Sequence, residues 1–464
     1  LAQQIVHGEA CYDTWCLDPR RLTSHTNVEM TSLKAIEDYQ NEFRFHFPHE
    51  HRPAARPAKT TPLTLVMANK NAEFTVINGW ERVEYIKPSK DFHPSLSFHF
   101  DEAFDVVANE VKNVQNNVGL TEVNGFNRFE ITGSDANSFV DRMFCGNITQ
   151  KSGRVGLGYL LNEFGMIKSE ATISNIPASD RGPKRMWYGS AAASEFHDMD
   201  WLVQHLKDDE DASIKSLTND QTILLLAGPK AREVLSKCSR EDWSKESFPW
   251  LSVRECFIGF SPATVMSVSF SGELAYEVHV PNESLYAAYL ALTEAGEEFG
   301  IKLFGSRAVE SMRMEKGFLG WKSDLITEFD PFETGLDRFV NLKKDNFIGK
   351  EALKNRIKQT PNQKLVCLKV ACKHAPAYGG ASLMEDGKVV GTITSGEWGH
   401  RVNLNLAYAF VNIDKSNSKY NGVFKNAWTL KYSCFFWIRR ETERQRDRET
   451  ERQRDRETER QRDR

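Results

Sequence analysis

The most informative part of this chain is a run of residues that alternates in character on both sides of a glycine, Ser267-Val268-Ser269-Phe270-Ser271-Gly272-Glu273-Leu274-Ala275-Tyr276-Glu277-Val278-His279-Val280. In its second half, Tyr276 and Val278 fall on one apolar face, and Glu277 and His279 fall on the other. This period of two predicts two strands joined by a glycine-containing turn. By pattern alone, Glu277 and His279 lie on the solvent side of a half-buried hairpin, because charged side chains are mostly exposed.

Six further segments each contain glycine together with charged residues. They are 125–133 (GFNRFEITG), 156–176, 226–231 (LAGPKA), 312–317 (MRMEKG), 330–336 (DPFETGL) and 346–353 (NFIGKEAL). Together with the hairpin, they resemble in the same order the aminomethyltransferase (glycine-cleavage T-protein) family and the folate half of dimethylglycine and sarcosine dehydrogenases. Each segment by itself is weak evidence for this family, whereas all seven segments in the same order are strong evidence. The resemblance covers residues 1 to about 411.

Three N-terminal segments narrow the resemblance. Residues 15–21 (WCLDPRR), 46–57 (HFPHEHRPAARP) and 79–82 (GWER) are similar to the linker of dimethylglycine dehydrogenases, between their flavin and folate parts. A simple aminomethyltransferase has no such segment. The alternative, a proline-rich basic surface loop, explains the composition of these segments but not the order of their residues.

The resemblance implies an α+β chain, in which an aminomethyltransferase-type folate-binding domain of mixed helices and antiparallel sheets precedes a small β-barrel domain. The expected domains are residues 1–95 (a remnant of an FAD-dependent oxidoreductase central or linker region), 96–345 (folate-binding domain), 346–425 (C-terminal β-barrel, complete or incomplete) and 426–464 (a divergent, disordered tail). Periodicity gives the local elements. Apolar residues recur at helical spacing over 104–118 and 285–299, whereas strand patterns occupy 159–161, 166–176, 364–370 and 387–395.

Composition excludes several classes of protein. The 464 residues are 40% hydrophobic and 27% charged with a net charge of -4, which is typical of a globular protein and argues against a nucleic-acid partner. The longest apolar runs, such as 223–227 and 434–438, are far shorter than the roughly 20 residues that span a bilayer. The eight cysteines form no C-x-x-C pair, so we expect free thiols and no metal site.

The start of the chain shows no targeting pattern. Leu1 is not a methionine, and no basic or amphipathic leader precedes it, so the start looks truncated. The resemblance implies the mitochondrial matrix, and without it the cytoplasm is the default. The nearest approach to a dinucleotide fingerprint, residues 156–161 (GLGYLL), has leucine at the third glycine position and leads into a hairpin. FAD is therefore expected only in a full-length form.

The resemblance also implies the site residues. Glu170, in 169–172 (SEAT), stands at the catalytic carboxylate of the family's S-D-L-T motif, with glutamate in place of the usual aspartate. Glu277 matches the pterin-binding glutamate, Phe270 replaces a tyrosine that stacks on the ligand, and Arg313 matches the arginine of R-x-E-x-G. Tyr159 is expected to form a wall of the pocket. For Arg313, an intrahelical pair with Glu310 is the structural alternative.

Two classes of function remain open. The first is the tetrahydrofolate-binding, one-carbon-transfer part of a flavin-dependent dimethylglycine or sarcosine dehydrogenase-like enzyme of choline and glycine catabolism, with folate and an N-methyl amine or its iminium as partners. The second is a non-catalytic relative, such as the pyruvate dehydrogenase phosphatase regulatory subunit, or a truncated and inactive product. Retention of the carboxylates Glu170 and Glu277 favours the first. The amine and the oligomeric state are undetermined.

The C-terminal tail has a composition of its own. Residues 441–448, 449–456 and 457–464 are three copies of ETERQRDR without an apolar residue, and the family resemblance ends near residue 412. The preceding 434–438 (CFFWI) followed by arginines looks like readthrough of simple-repeat DNA. Such a charged segment has nothing to bury, so we expect disorder or a lone polar helix, with a charged interaction tail as the functional alternative.

We predict that truncation after Arg440 leaves the melting temperature and the affinity for reduced folate within error, because the repeats add no apolar surface. Thermal unfolding and calorimetric titration of the full and shortened chains would test this. A clear loss of either quantity would mean that the repeats dock on the folded body.

Overall fold

A computed structural model describes residues 26–192, 194–385, 387–413 and 427–429. The predictions for residues 15–21 and for the octad repeats lie outside these ranges. The described helices are α1 (Val28–Gln40), α2 (Thr64–Asn69), α3 (Ala103–Asn116), α4 (Ala136–Met143), α5 (Glu195–Gln204), α6 (Ala231–Cys238), α7 (Leu285–Gly296), α8 (Ser306–Lys316) and α9 (Lys350–Arg356). No helix among the described residues is long and apolar enough to cross a membrane.

The described strands form four sheets. They are β1 (Ala72–Ile77), β2 (Trp80–Ile86), β3 (Val118–Val123), β4 (Asn127–Thr132), β5 (Val155–Leu161), β6 (Ile167–Ile176), β7 (Arg185–Ser190), β8 (Ser213–Ser216), β9 (Gln221–Ala227), β10 (Val253–Ile258), β11 (Ser261–Met266), β12 (Ala275–Pro281), β13 (Ile301–Leu303), β14 (Gln363–Val370), β15 (Ser382–Glu385), β16 (Lys388–Gly399), β17 (Leu404–Asn412) and β18 (Ala427–Thr429). Almost all pairings are antiparallel, and β13 with β3 is parallel.

A six-stranded sheet of order β10-β11-β12-β9-β3-β13 contains the Glu277 strand. Tyr276, Val278 and Val280 of β12 are completely buried, and they pack with Leu285 and Leu292 of α7 in one apolar cluster. The alternation predicted for this strand is therefore confirmed on its apolar face. It orients residues 275, 277 and 279 toward the other side of the sheet.

A five-stranded sheet of order β5-β6-β7-β4-β8 contains the Glu170 strand. Its core side is apolar, where Ala171 and Ile173 pack with Phe129, Phe139 and other fully buried residues. Since successive side chains of a strand point to opposite faces, Glu170 lies on the side away from this core. The predicted hairpin of β5 and β6 is confirmed.

The C-terminal sheet has the order β15-β16-β17-β14-β18. It is tied to the rest of the chain by Asp324, a completely buried carboxylate. Asp324 Oδ2 accepts from Arg313 Nη1 at 2.9 Å, and its Oδ1 accepts from the Ser395 hydroxyl on β16 at 2.7 Å. A buried charge of this kind is stable only when it is paired and hydrogen-bonded, so the contact fixes how β16 meets α8.

The periodic segments match the sequence-based expectations closely. The helix pattern over 104–118 appears as α3, although Val118 already begins β3, and the pattern over 285–299 appears as α7 extended by a 3₁₀ turn that ends at Gly300. Gly300 adopts a left-handed backbone with φ of 73°, which favours glycine at a helix end. The predicted strands near 364–370 and 387–395 appear as β14 and β16.

The first arm of the hairpin at residues 267–280 is predicted wrongly. β11 ends at Met266, and residues 267–274 form a connection without strand structure. The backbone of Ser267 instead exchanges hydrogen bonds with Leu251 and Ser252, at 2.9 and 2.8 Å, and Val268 is buried there. Ser267 thus continues the register in which β10 pairs with β11, and the pairing ends there, although the alternation over residues 267–270 is typical of a strand.

The linker-like residues 46–57 lie against β2. Glu84 of β2 is buried and bonds His49 Nδ1 at 2.8 Å and His51 Nε2 at 2.6 Å. Burial opposes the ionisation of Glu84, but these hydrogen bonds outweigh it and hold its pKa at about 2. A second ion pair joins Arg56 to Glu81 at 2.6 Å. These contacts attach the segment to the folded body.

Candidate functional site

One face of the five-stranded sheet holds the predicted carboxylate. Directly paired residues share a face, and β5 and β6 pair Tyr159 with Glu170. Further along the same face, Thr172 lies opposite Gly189 of β7, and Gly189 lies opposite Arg128 of β4. The face therefore runs from a tyrosine and a glutamate, across a glycine, to a buried arginine.

The six-stranded sheet faces this surface across a small apolar cluster. Trp187 of β7 packs with Met266 and Val268 in this cluster, and Met266 is the partner of Glu277 in the adjacent strand. The Ser174 hydroxyl also contacts the Met266 sulfur at 3.2 Å. The strands that bear Glu170 and Glu277 therefore belong to two sheets that meet at Trp187.

Glu170 is partly buried and lies opposite Tyr159, whose hydroxyl acts on the Glu170 pKa as a hydrogen-bond donor. Burial raises the pKa of Glu170 to about 7, and the bond from Tyr159 opposes that rise. Burial and the neighbouring carboxylate raise the pKa of Tyr159 well above its ordinary value, so its hydroxyl keeps its proton and donates. A carboxylate with a pKa near neutrality can both take up and release a proton.

Glu277 is held by a histidine that the sequence pattern assigned to solvent. His279 is only 3% exposed, and its Nε2 lies 3.1 Å from Glu277 Oε2. Burial, followed by the charge of Arg128, lowers the pKa of His279 to about 4, so the ring is neutral at pH 7. Because a carboxylate only accepts, the neutral ring must have its proton on Nε2. The interpretation from the pattern alone, with His279 on the solvent side, does not hold, because a second sheet covers this face.

The Nδ1 atom of His279 is a buried acceptor without a hydrogen-bond partner among the described residues. The His279 ring lies 5.9 Å from Trp187, and the guanidinium of Arg128 lies 5.5 Å from the same indole. Sequence reasoning missed both residues as parts of the site. The signal for His279 was its position two residues after Glu277, whereas Arg128 gave none beyond its place in the segment 125–133.

Phe270 and Arg313 meet indirectly through Phe318. The Phe270 ring is 39% exposed and stacks on Phe318 at 6.2 Å and 15°. Arg313 Nη1 donates to the Phe318 carbonyl at 2.8 Å. Phe270 thus offers an accessible aromatic face, and Arg313 supports the residue behind it.

Every nitrogen of the Arg313 side chain has a protein partner. Its Nε donates to Glu310 at 2.7 Å, and the remaining donors bond Glu310, Asp324 and Ser395 as well as Phe318. The intrahelical pair with Glu310 is therefore present, together with the buried contact to Asp324. Arg313 is a structural tie in this arrangement, and its predicted contact with a ligand stays a prediction.

The structure thus groups the predicted residues in three places. Tyr159 bonds Glu170, Phe270 meets Arg313 through Phe318, and Glu277 lies with Arg128 and His279, which were not predicted. No hydrogen bond within the described ranges joins Glu170 to Glu277. Their roles in binding and chemistry remain predictions.

Three family models match the chain. Residues 63–344 match the GCVT N-terminal domain, residues 363–424 match the glycine cleavage T-protein C-terminal barrel domain, and residues 7–61 match the FAD dependent oxidoreductase central domain. The predicted resemblance is confirmed.

Two relatives and one solved structure agree with these matches. Human mitochondrial dimethylglycine dehydrogenase is 32% identical over 90% of this chain and 48% of its own length. Mouse mitochondrial sarcosine dehydrogenase is 26% identical over 89% of this chain and 49% of its own length. This chain spans about half the length of these relatives.

The solved structure of the glycine cleavage system aminomethyltransferase T from Bartonella henselae aligns with a TM-score of 0.65 at 21% identity, over 76% of this chain and 90% of that one. At this identity the likeness is one of fold. It confirms the predicted α+β aminomethyltransferase architecture with a small C-terminal antiparallel domain.

We predict that Tyr159→Phe raises the pKa of Glu170 above about 7, because it removes a hydrogen bond that favours the ionised carboxylate. Carbon-13 NMR titration of labelled glutamate side chains would measure the midpoint, with Glu170→Gln used to assign the signal. The matched control is Tyr188→Phe, since Tyr188 donates to Asp198 on the opposite side of the same sheet. An unchanged or lower midpoint in Tyr159→Phe would mean that the bond does not control Glu170.

Proposed function

Because the chain belongs to the glycine cleavage T-protein family, we propose that it binds reduced folate and is the one-carbon-transfer part of a flavin-dependent N-methylglycine dehydrogenase-like enzyme. The observation that carries the proposal is the presence of Glu170 and Glu277 on two sheets that meet at Trp187. The dimethylglycine and sarcosine dehydrogenases among its relatives suggest an N-methyl amino acid as the source of the carbon.

Glu277 is the proposed acceptor for the amino group of the pterin. Its side chain is 30% exposed, so it is open to a ligand, while His279 fixes one of its oxygens. The charge of Arg128 acts on the same carboxylate from the facing sheet. Phe270 supplies an exposed aromatic face at the motif position of the family's tyrosine, where stacking is possible without a hydroxyl group.

Glu170 is the proposed acid-base group. Reduced folate, when bound, would supply the nitrogen nucleophiles that capture the carbon. Glu170 has a pKa of about 7, so at neutral pH a large share of the carboxylates are ionised and can accept a proton, and Tyr159 orients the group that does so. Replacement of the family's aspartate by glutamate keeps the charge and lengthens the side chain.

Other parts of the proposal rest on the relatives. Residues 7–61 match a central domain of FAD dependent oxidoreductases. We therefore assign FAD to a full-length form that also contains the flavin-binding part of such an oxidoreductase. The mitochondrial relatives favour the mitochondrial matrix as the location. The substrates in this proposal are reduced folate and the iminium ion of an N-methyl amine.

We predict that Glu277→Gln weakens binding of tetrahydrofolate by about 1.5–3 kcal/mol, the range for a hydrogen bond to a charged group. Isothermal titration calorimetry on the full chain would measure the change. Glu283→Gln is the control, because Glu283 is exposed after the end of the same strand. An affinity unchanged in Glu277→Gln would remove this residue from the site.

We predict that Glu170→Gln slows one-carbon capture by about 100- to 10,000-fold while tetrahydrofolate binding stays nearly intact, because acid-base help of this kind acts on the rate. The assay supplies formaldehyde with an N-methyl amine as the iminium source and follows consumption of bound tetrahydrofolate. If Glu170→Gln loses tetrahydrofolate binding without a specific loss in the rate of one-carbon capture, Glu170 has a structural role. If the unaltered chain gives no acceleration at saturating folate, a non-catalytic role becomes the better description.

A further inference from the structure

The side chain of Arg128 is largely buried, and its donors have no hydrogen-bond partner among the described residues. The residue is 3% exposed and its side chain lies over Trp187 at 5.5 Å. Among the described residues it forms no side-chain hydrogen bond, and no carboxylate oxygen lies within 4.0 Å of it. Burial lowers the pKa of Arg128 to about 10, so it remains charged at neutral pH.

Among the described residues, the other two arginines that are buried, Arg185 and Arg313, both form ion pairs with carboxylates. Arg185, on the same sheet face, bonds Glu130 at 3.1 Å and Glu255, while Arg307 forms a double contact with Asp101 at 3.0 and 3.1 Å. Arg128 has no such partner, and none of its nitrogens is among the fully buried side-chain atoms that lack a hydrogen bond, so these donors reach a space that water or a ligand can occupy. The exception at Arg128 is therefore suited to a ligand that supplies an acceptor.

The strand position beside Arg128 carries no side chain. The neighbour of Arg128 across the strands is Gly189, where an added Cβ would lie 3.0 Å from the Thr172 hydroxyl oxygen, so a side chain at this position would crowd the space between Arg128 and Thr172. Glu277 is close enough to act on the pKa of Arg128, yet it does not close an ion pair with it.

A second buried atom is also unsatisfied at this place. The Nδ1 atom of His279 has no hydrogen-bond partner among the described residues, and its ring lies against the same indole as Arg128. An acceptor carboxylate at Glu277, an acceptor nitrogen at His279 and the donors of Arg128 thus lie near one another around Trp187. A ligand that fits must present donors and an acceptor side by side.

The ring edge of a 4-oxo pterin has this arrangement. Its 2-amino group and N3–H are donors, and the adjacent 4-carbonyl oxygen is an acceptor. We propose that Arg128 donates to the 4-carbonyl oxygen while Glu277 accepts from the neighbouring N–H groups, so that Arg128 selects 4-oxo folates against 4-amino analogues. This inference rests on the proposed folate-binding function and adds a specificity-determining residue to it.

The charges around Arg128 favour a neutral acceptor over an anion. Glu277 lies on one side, and Glu130, two residues along the same strand, accepts a hydrogen bond from the Trp187 indole nitrogen at 3.2 Å. A carboxylate ligand bound at Arg128 would be repelled by these two acids, whereas a carbonyl oxygen would not. The carboxylate of an N-methyl amino acid is therefore the less favoured occupant.

The test compares tetrahydrofolate with tetrahydroaminopterin, its 4-amino analogue, by calorimetry on the full chain. We expect Arg128→Met to weaken tetrahydrofolate binding by about 10- to 150-fold, the equivalent of one hydrogen bond from a charged donor, with the affinity for the 4-amino analogue almost unchanged. Arg254→Met is the matched control, since Arg254 also stacks on a tryptophan, at 5.6 Å, but its donors bond Asp242 and Ser247. It should change neither affinity.

Equal weakening of both ligands by Arg128→Met, at an unchanged melting temperature, would overturn the assignment. If Arg128→Met does not fold, Arg128→Lys tests the assignment instead, because lysine keeps the positive charge. We expect this variant to reduce the preference for the 4-oxo ligand only in part. If the preference for the 4-oxo over the 4-amino ligand is unchanged in Arg128→Lys, the assignment of Arg128 to the 4-carbonyl oxygen is overturned. Loss of N,N-dimethylglycine binding in either variant, with the folate preference intact, would assign Arg128 to a carboxylate instead.

The two proposals fail in different ways. If the unaltered chain does not bind tetrahydrofolate, both are overturned. If it binds tetrahydrofolate in a manner that needs Glu277 while Arg128 has no effect on the preference, only the inference about Arg128 falls.

Discussion

The packing of two antiparallel sheets against Trp187 is the constraint on which the rest of the site depends. Its indole donates to Glu130, contacts the guanidinium of Arg128 and the ring of His279, and belongs to the apolar cluster that joins the sheets. Large aromatic side chains contribute much of the apolar burial in such a contact. Beside this cluster, Arg128 and His279 are each 3% exposed, whereas the Glu277 side chain keeps 30% of its exposure.

The strands that bear the site are held in place from their other side. Asp198 of α5 is a buried carboxylate that accepts at Oδ2 from the hydroxyls of Ser169 at 3.0 Å, Tyr188 at 3.0 Å and Ser190 at 2.6 Å. These donors belong to β6 and β7. These shared hydrogen bonds join α5 to β6 and β7, and they lie directly behind the strand of Glu170. The acid-base candidate therefore stands on a strand whose position is fixed by side-chain hydrogen bonds as well as by the sheet ladder.

Contacts outside the two sheets attach the flanking segments to the same body. Glu84 and Glu81 hold the linker-like residues on β2, and Asp324 joins Arg313 to the C-terminal sheet. Each is a buried acid that satisfies several donors at once, so removal of any one would leave buried groups unpaired. Arg313 illustrates how one motif position can serve the fold: its partners are protein groups, and its link to the ligand side of the molecule is the carbonyl of Phe318.

The sequence by itself determined the elements with strong periodicity and the identity of the family. α3, α7, β6 and β12 follow from spacing, because an apolar face must be buried whatever surrounds it. The family motifs also located Glu170 and Glu277. Only the tertiary structure decided that residues 267–270 leave the sheet, that His279 is buried, and that Arg128 faces Glu277 without a partner. These facts depend on which sheet covers which face. Alternation along a single strand marks the apolar face for burial, but it does not show whether a second layer also covers the polar face.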